Sequence, residues 1–234
     1  MNNMSRTQAI VNAPAYTASE AARFLHLPAA TVRAWSFGQR YKTRSSRDWK
    51  QFEAVIAAAD PEGGYLSFVN LVELHVLGAI RRIHSVPLPK VRTALEYVTR
   101  LLKSKHPLAD QDFQTDGLSL FVEKFGQIIN ASQGGQVAIR PVIEAHLRRI
   151  ERDSAGIPIR LYPFSRKTEY EQPAIIVIDP TLAFGKPVLR NTGIPTAILA
   201  ERFEAGESLG VLASDYGKPL DEIEEALRYE RQAA

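Results

Sequence analysis

The 234-residue chain contains no cysteine. That absence excludes a disulfide framework, a thiolate-held zinc or iron–sulfur centre and a thiol nucleophile, and it suits a reducing compartment. Long apolar runs are missing as well. Ala54-Val-Ile-Ala-Ala-Ala59 is typical, far below the roughly 18–20 residues that cross a bilayer. The opening stretch, Met1 to Gln8, lacks the apolar segment of a secretory signal. The expectation is a cytoplasmic protein with no membrane partner. None of the five histidines (His26, His75, His84, His106, His146) stands at His-x-x-x-His or Glu-x-x-His spacing, so no metal site is expected. Glycine-rich phosphate cradles are absent. Ala205–Gly210 does not carry the nucleophile-elbow pattern around Ser208. Without a catalytic set, the chain reads as a non-enzyme that needs no cofactor.

What is present is ordinary globular composition, 45% hydrophobic and 24% charged. The net charge of +3 conceals a split. Met1 to Pro107 carries 15 Lys and Arg against 7 Asp and Glu, whereas Leu108 to Ala234 carries 14 against 19. Six cations fall between Arg33 and Lys50, opposed only by Asp48, a local field suited to a polyanion. The last forty residues hold nine acids against Arg202, Lys218, Arg228 and Arg231. One end should attract nucleic acid and the other should repel it.

The spacing of residues predicts an α+β chain in four stretches: a loose arm over 1–15, a helical DNA-binding unit over 16–107, a β-rich middle over 108–172 and a three-helix unit over 173–234. Thr17-Ala-Ser-Glu20 is a capping box opening a helix to about Leu25. His26-Leu-Pro28 is a turn, and a second helix runs from Ala29 to Phe37 with Gly38 after it, a helix-turn-helix pattern. Gln39 to Trp49 reads as a loop or small β-wing. Helices follow over Val69–Arg82 and Lys90–Leu102, offered together as a dimer surface, with the middle strands as the alternative. From Asp112 the pattern reads as alternation, with strands at 113–115, 118–122, 126–129 and 136–139, then a helix over Pro141–Asp153. Strands at 157–164, 174–178 and 188–190 precede helices at 196–204, 208–216 and 220–231.

Two groups of side chains stand out. A helix in the major groove needs a face that reaches base edges and flanking cations for phosphates. The candidate DNA-contacting set is Thr17 and Ser19 on the first helix, Thr31 and Arg33 on the second, and Arg40, Lys42, Arg44 and Arg47 after it. The same run is equally a solvated basic loop on composition alone. Trp35, at helical spacing from Val32, reads as core. In the C-terminal trio the helix-turn-helix-like shape conflicts with its acidity, since phosphate would be repelled. A protein-binding module and a cap that only completes the fold both remain open.

Tyr16-Thr-Ala-Ser-Glu-Ala-Ala-Arg23 with Leu27-Pro-Ala-Ala-Thr-Val-Arg-Ala-Trp35 resembles the start of MerR-like winged helix-turn-helix domains, with Pro28 where a Ser or Thr cap is common. Ile178-Asp-Pro-Thr-Leu-Ala-Phe-Gly-Lys-Pro-Val-Leu-Arg-Asn-Thr-Gly-Ile-Pro-Thr196 resembles a small bacterial family of Asp-Pro…Gly-Lys/Arg-Pro…Gly-Thr type, with Asn191-Thr192-Gly193 where Gly-Thr-Arg is commoner. That family is associated with VapB-type antitoxins paired with PIN-like ribonuclease toxins. The resemblance implies a type II antitoxin that neutralises such a toxin and represses its own operon as a homodimer on palindromic operator DNA. Arg190, Arg202, Tyr216 and Arg228 are then the candidate toxin contacts, an arginine entering the toxin's carboxylate cluster or the surface simply occluding it. The alternative reading is a stand-alone MerR-like regulator with a ligand-binding C-terminal half.

Overall fold

A computed structural model describes residues 5–42, 49–82, 88–129, 133–166 and 173–233. Of the stretch read as a loose arm over 1–15, residues 6–12 form a helix. Ser5 caps α1 (Arg6–Asn12) by accepting the Gln8 amide at 3.2 Å, and Val11 is buried. One apolar anchor in seven residues leaves no periodicity to read, which is why the 1–15 stretch looked unstructured.

β1 (Tyr16–Thr17) runs into α2 (Ala18–Leu25), His26 turns the chain with φ 51°, and α3 (Ala29–Phe37) follows. Gly38, at φ 74°, starts β2 (Gln39–Lys42), which pairs antiparallel with β3 (Trp49–Phe52) in a hairpin from Gln39↔Phe52 to Lys42↔Trp49. A Cβ on Gly38 would lie 2.6 Å from the Phe52 carbonyl oxygen, so both space and φ demand glycine there. β4 (Tyr65–Leu66) returns beside β1.

α4 (Phe68–Arg82) is the axis of the molecule, with every residue from Val69 to Ile80 buried. It therefore has no face left for a dimer contact, and the expectation of a dimer surface over Val69–Arg82 is corrected. Asn70 pins the segment entering α4. Its Oδ1 accepts from the Ala59 and Ser67 amides, both at 3.0 Å, and its Nδ2 donates to the Ala57 carbonyl at 2.8 Å. α5 (Leu88–Leu102) comes next, followed by a 3-10 turn at Pro107–Ala109 that packs on α4.

The middle of the chain overturns the β-rich expectation. After a π-helical turn at Phe113–Gly117 come α6 (Leu118–Ile129) and α7 (Gln133–Leu147). Leu118, Phe121, Val122 and Phe125 are buried. Their spacing of three, four and seven is helical. The Asp116-Gly117 and Phe125-Gly126 pairs, whose composition favours turns, fall within these helical elements. The Pro141–Asp153 helix is corrected too, since Pro141 lies inside α7, which ends at Leu147, and residues 150–152 form β5.

A four-stranded antiparallel sheet follows in the order β5 (Ile150–Arg152), β6 (Pro158–Leu161), β7 (Ile176–Ile178) and β8 (Pro187–Leu189). α8 (Thr196–Glu204), α9 (Leu209–Tyr216) and α10 (Leu220–Ala233) complete the chain. The main core runs without a break from Val11 through Phe113, Phe121 and Ile143 to Ile178. That core has members on both sides of the 107/108 boundary. A second core gathers Ile176 and Leu189 from the sheet with Leu199, Leu212, Ile223 and Tyr229 from the three helices.

One buried ion pair links α4 to the segment after α5. Oε2 of Glu73 lies 2.9 Å from His106 Nδ1 and accepts from Asn70 Nδ2 at 3.1 Å. Burial pushes the Glu73 carboxyl up against the opposing pull of His106, and the hydrogen bond to Glu73 raises the His106 imidazole. Both groups hold protons more tightly folded than unfolded. The stabilisation from His106 is therefore full below its unfolded value of about 6.5 and is lost as pH rises through the higher folded value, and that from Glu73 declines likewise from its unfolded value of 4.5 upward. We expect the denaturation midpoint to fall as pH rises past about 6.5, with Glu73→Gln flattening that slope. An equal slope in wild type and variant would show that the pair does not govern it.

Candidate nucleic-acid interface and C-terminal docking unit

The first candidate surface is built by α2, α3 and the hairpin. Thr17 is committed to its capping box: its Oγ1 accepts the Glu20 amide at 3.2 Å, and the Glu20 carboxylate accepts the Thr17 amide at 2.9 Å. Thr17 thus sets where α2 begins, and Ser19 beside it is exposed. On α3 the buried residues are Val32, Trp35 and Ser36, whereas Ala29, Ala30 and Arg33 are exposed and Thr31 is half-buried. Trp35 is core, and its carbonyl accepts the Val55 and Ile56 amides at 2.7 and 3.2 Å. That contact fixes the chain leaving the hairpin against α3. Arg33 and Arg40 are both exposed. Lys42 belongs to β2, while Arg44 and Arg47 lie outside the described residues.

The outward face of α3 is small and nearly neutral, with alanines around Thr31 and Arg33. Such a face can approach a groove closely. Arg33 is its one long donor, suited to a bidentate contact with a guanine edge. Trp49, 61% exposed at the start of β3, adds an amphipathic ring to the hairpin.

The second surface is the C-terminal unit. Arg202 of α8 is held internally: its Nε donates to Glu207 Oε1 at 2.7 Å, its Nη2 to Asp215 Oδ2 at 2.6 Å, and its guanidinium lies 5.2 Å from the centre of the Tyr216 ring. Those carboxylates, Glu207 first, push the guanidinium further above its ordinary value. Arg202 and Tyr216 therefore staple α8 to α9, and the expectation that this arginine projects toward a partner does not fit its geometry. Arg228 pairs with Glu225 one turn away at 3.3 Å. Arg190, at the end of β8, is exposed and forms no ion pair among the described residues. The structure thus joins Arg202 with Tyr216 and leaves Arg190 apart from both.

Sequence reasoning missed the loop before β8. Asp179 is buried and accepts from the Thr181 amide at 2.8 Å, with Arg160 Nε at 2.9 Å. Beyond this turn Ala183, Phe184 and Gly185 take φ of 45°, 57° and 73° in succession. Phe184 is 95% exposed, with Leu182 exposed beside it. A Cβ on Gly185 would lie 2.1 Å from the Tyr16 hydroxyl. Burial, then the charges of Asp179 and Glu20, push that phenol well above its ordinary value. A left-handed non-glycine residue with an aromatic side chain in solvent costs free energy twice over, in backbone strain and in apolar exposure. Leu182 and Phe184 in a segment of turn residues were the only sequence signal.

The two surfaces belong to units that touch. The Tyr229 hydroxyl of α10 donates to the Phe24 carbonyl of α2 at 2.7 Å, and its ring lies 4.6 Å from that of His26 in the helix-turn-helix turn. Among the described residues no three His, Asp or Glu groups gather to hold a metal, and no helix is long and apolar enough to cross a membrane.

Comparison with known proteins matches these regions separately. A family described as "Putative DNA-binding HTH domain" matches residues 14–95, and one described as a protein of unknown function (DUF433) matches residues 176–229. The chain is 29% identical over 230 residues to "Putative antitoxin VapB45" of Mycobacterium tuberculosis, covering 92% of each. It is 24% identical to the uncharacterized protein Rv2308 of the same organism, covering 93% of this chain and 90% of that one. The crystal structure of Rv2018 from Mycobacterium tuberculosis superposes with a TM-score of 0.63 at 23% identity, covering 92% and 98% of the two chains. That likeness establishes the fold.

Proposed function

We propose that this protein is a type II antitoxin and autorepressor of the cytoplasm, acting by binding and not by catalysis. One homodimer would place two copies of α3 in successive major grooves of a palindromic operator, with the hairpin cations, Arg40 and Lys42 among them, on the phosphates. The C-terminal unit would hold a PIN-like ribonuclease toxin. The observation that carries this reading is the pairing, in one chain, of an outward α3 face bearing Arg33 with an acidic three-helix unit built around a separate core. The antitoxin name of the 29% identical relative supports it, as does the match to a DNA-binding domain over residues 14–95.

For the toxin contact, Phe184 is the anchor and Arg190 the cation able to reach an acidic active site. They flank β8, a three-residue edge strand. A fully exposed aromatic on a held loop is the type of group that carries interface energy. Co-expression with the product of the adjacent reading frame tests the reading. We expect the two to co-purify and the antitoxin to restore growth. Failure of both, with soluble protein present, would remove the toxin-binding role.

A further inference from the structure

A cavity of about 640 Å³ opens between α4, α5 and the irregular segment that leaves the hairpin, a size that suits a small organic ligand. Ile56, Leu95 and Leu108 give it an apolar wall, and all three are buried. Three cations border it: Arg92 and Arg100 from α5, and Lys105 beyond it. None of the three forms an ion pair among the described residues. Arg92 is the most telling. One of its terminal nitrogens donates to the Glu53 carbonyl and its guanidinium lies 4.7 Å from the centre of the Phe52 ring, yet its Nε is buried with no hydrogen-bond partner. A buried donor left unsatisfied is costly, so this guanidinium is incompletely satisfied by the protein itself. Two carboxylates also border the cavity. Glu73 is engaged by His106 and Asn70, so Glu96 is the one acid opposing three cations.

We propose that this cavity binds a small amphipathic organic anion, its apolar body against Ile56, Leu95 and Leu108 and its acidic group toward Arg92, Arg100 and Lys105. The site lies directly behind the hairpin, because Arg92 holds the last residue of β3 through the Phe52 ring and the next through the Glu53 carbonyl. Any influence of the ligand on DNA rests on the reading of that hairpin as a wing. The binding itself does not, and a titration without DNA tests it alone.

The probe is 8-anilino-1-naphthalenesulfonate, an aromatic body bearing one anionic group, titrated into the full-length folded protein and followed by fluorescence. One saturable site is expected. Its uncharged counterpart N-phenyl-1-naphthylamine should bind at least about tenfold more weakly, as should the sulfonate to an Arg92→Met variant, each losing a charge-assisted contact. Should Arg92→Met fold poorly, Arg100→Met with Lys105→Met changes only exposed side chains. That pair should weaken the sulfonate by about tenfold while the thermal transition stays in place. Arg148→Met, an exposed cation outside the cavity, should leave binding unchanged. Equal affinity for the charged and uncharged probes, sulfonate binding indifferent to these cations, or no saturable site in the wild type would each overturn the proposal.

Discussion

Reversing two charges, Arg33→Glu together with Arg40→Glu, is expected to weaken operator binding by about 100-fold or more while leaving toxin neutralisation intact. A specific base contact contributes about 1–3 kcal/mol, and reversal replaces attraction to phosphate with repulsion. Both side chains are exposed, so folding should be unaffected. The two arginines can also be told apart. Arg33→Met should relax selectivity at one base position, whereas Arg40→Met should weaken all sequences alike and lower the salt slope by about one unit. An affinity that does not change between low and physiological salt would remove the phosphate clamp. Loss of both DNA and toxin binding in a folded double variant would count against separate surfaces.

Phe184 is expected to give the largest effect on the toxin side. Phe184→Asp should weaken the toxin complex by about 2 kcal/mol or more, about 30-fold, the range of an interface hot spot. Because the ring is 95% exposed, the free protein loses no core contact. Phe184→Gly sharpens the point. Glycine relieves a left-handed strain of about 1–2 kcal/mol but gives back about 0.5–1 kcal/mol in unfolded-chain entropy. Stability should therefore hold or rise slightly while toxin affinity falls. Calorimetric titration with purified toxin, beside thermal melts of each variant, reads both quantities. A Phe184→Gly protein that binds toxin as tightly as wild type would show that the loop is not the anchor.

These two sites were not equally visible from residue order. The helix-turn-helix could be read because its signals are local. A capping box at Thr17–Glu20, a proline at the turn and a glycine after Phe37 act within one or two turns of backbone. The three closing helices were legible for the same reason, with Ser208 capping α9 and Gly217 ending it at φ 60°. The middle of the chain misled because a short run such as Leu118–Val122 fits alternation as well as the helical spacing of Leu118, Phe121, Val122 and Phe125. Packing against α5 and α7 decides such a segment, and there the 3.6-residue period prevails over local turn preference. The role of Arg202 was hidden for a different reason. An arginine in an acidic stretch looks available until Glu207 and Asp215, five and thirteen residues away, are seen to close on it.

Residue order by itself determined the caps, the periodic helices at both ends, the charge split and the absence of any thiol or closely spaced ligand set, since each depends on neighbours along the chain. Only the tertiary structure decided that α4 is enclosed, that Arg92 and Lys105 face one cavity with Arg100, and that Phe184 stands in solvent on a strained loop. Exposure, cavity shape and the pairing of charges arise when distant segments compete for the same space, and no local spacing encodes the outcome of that competition.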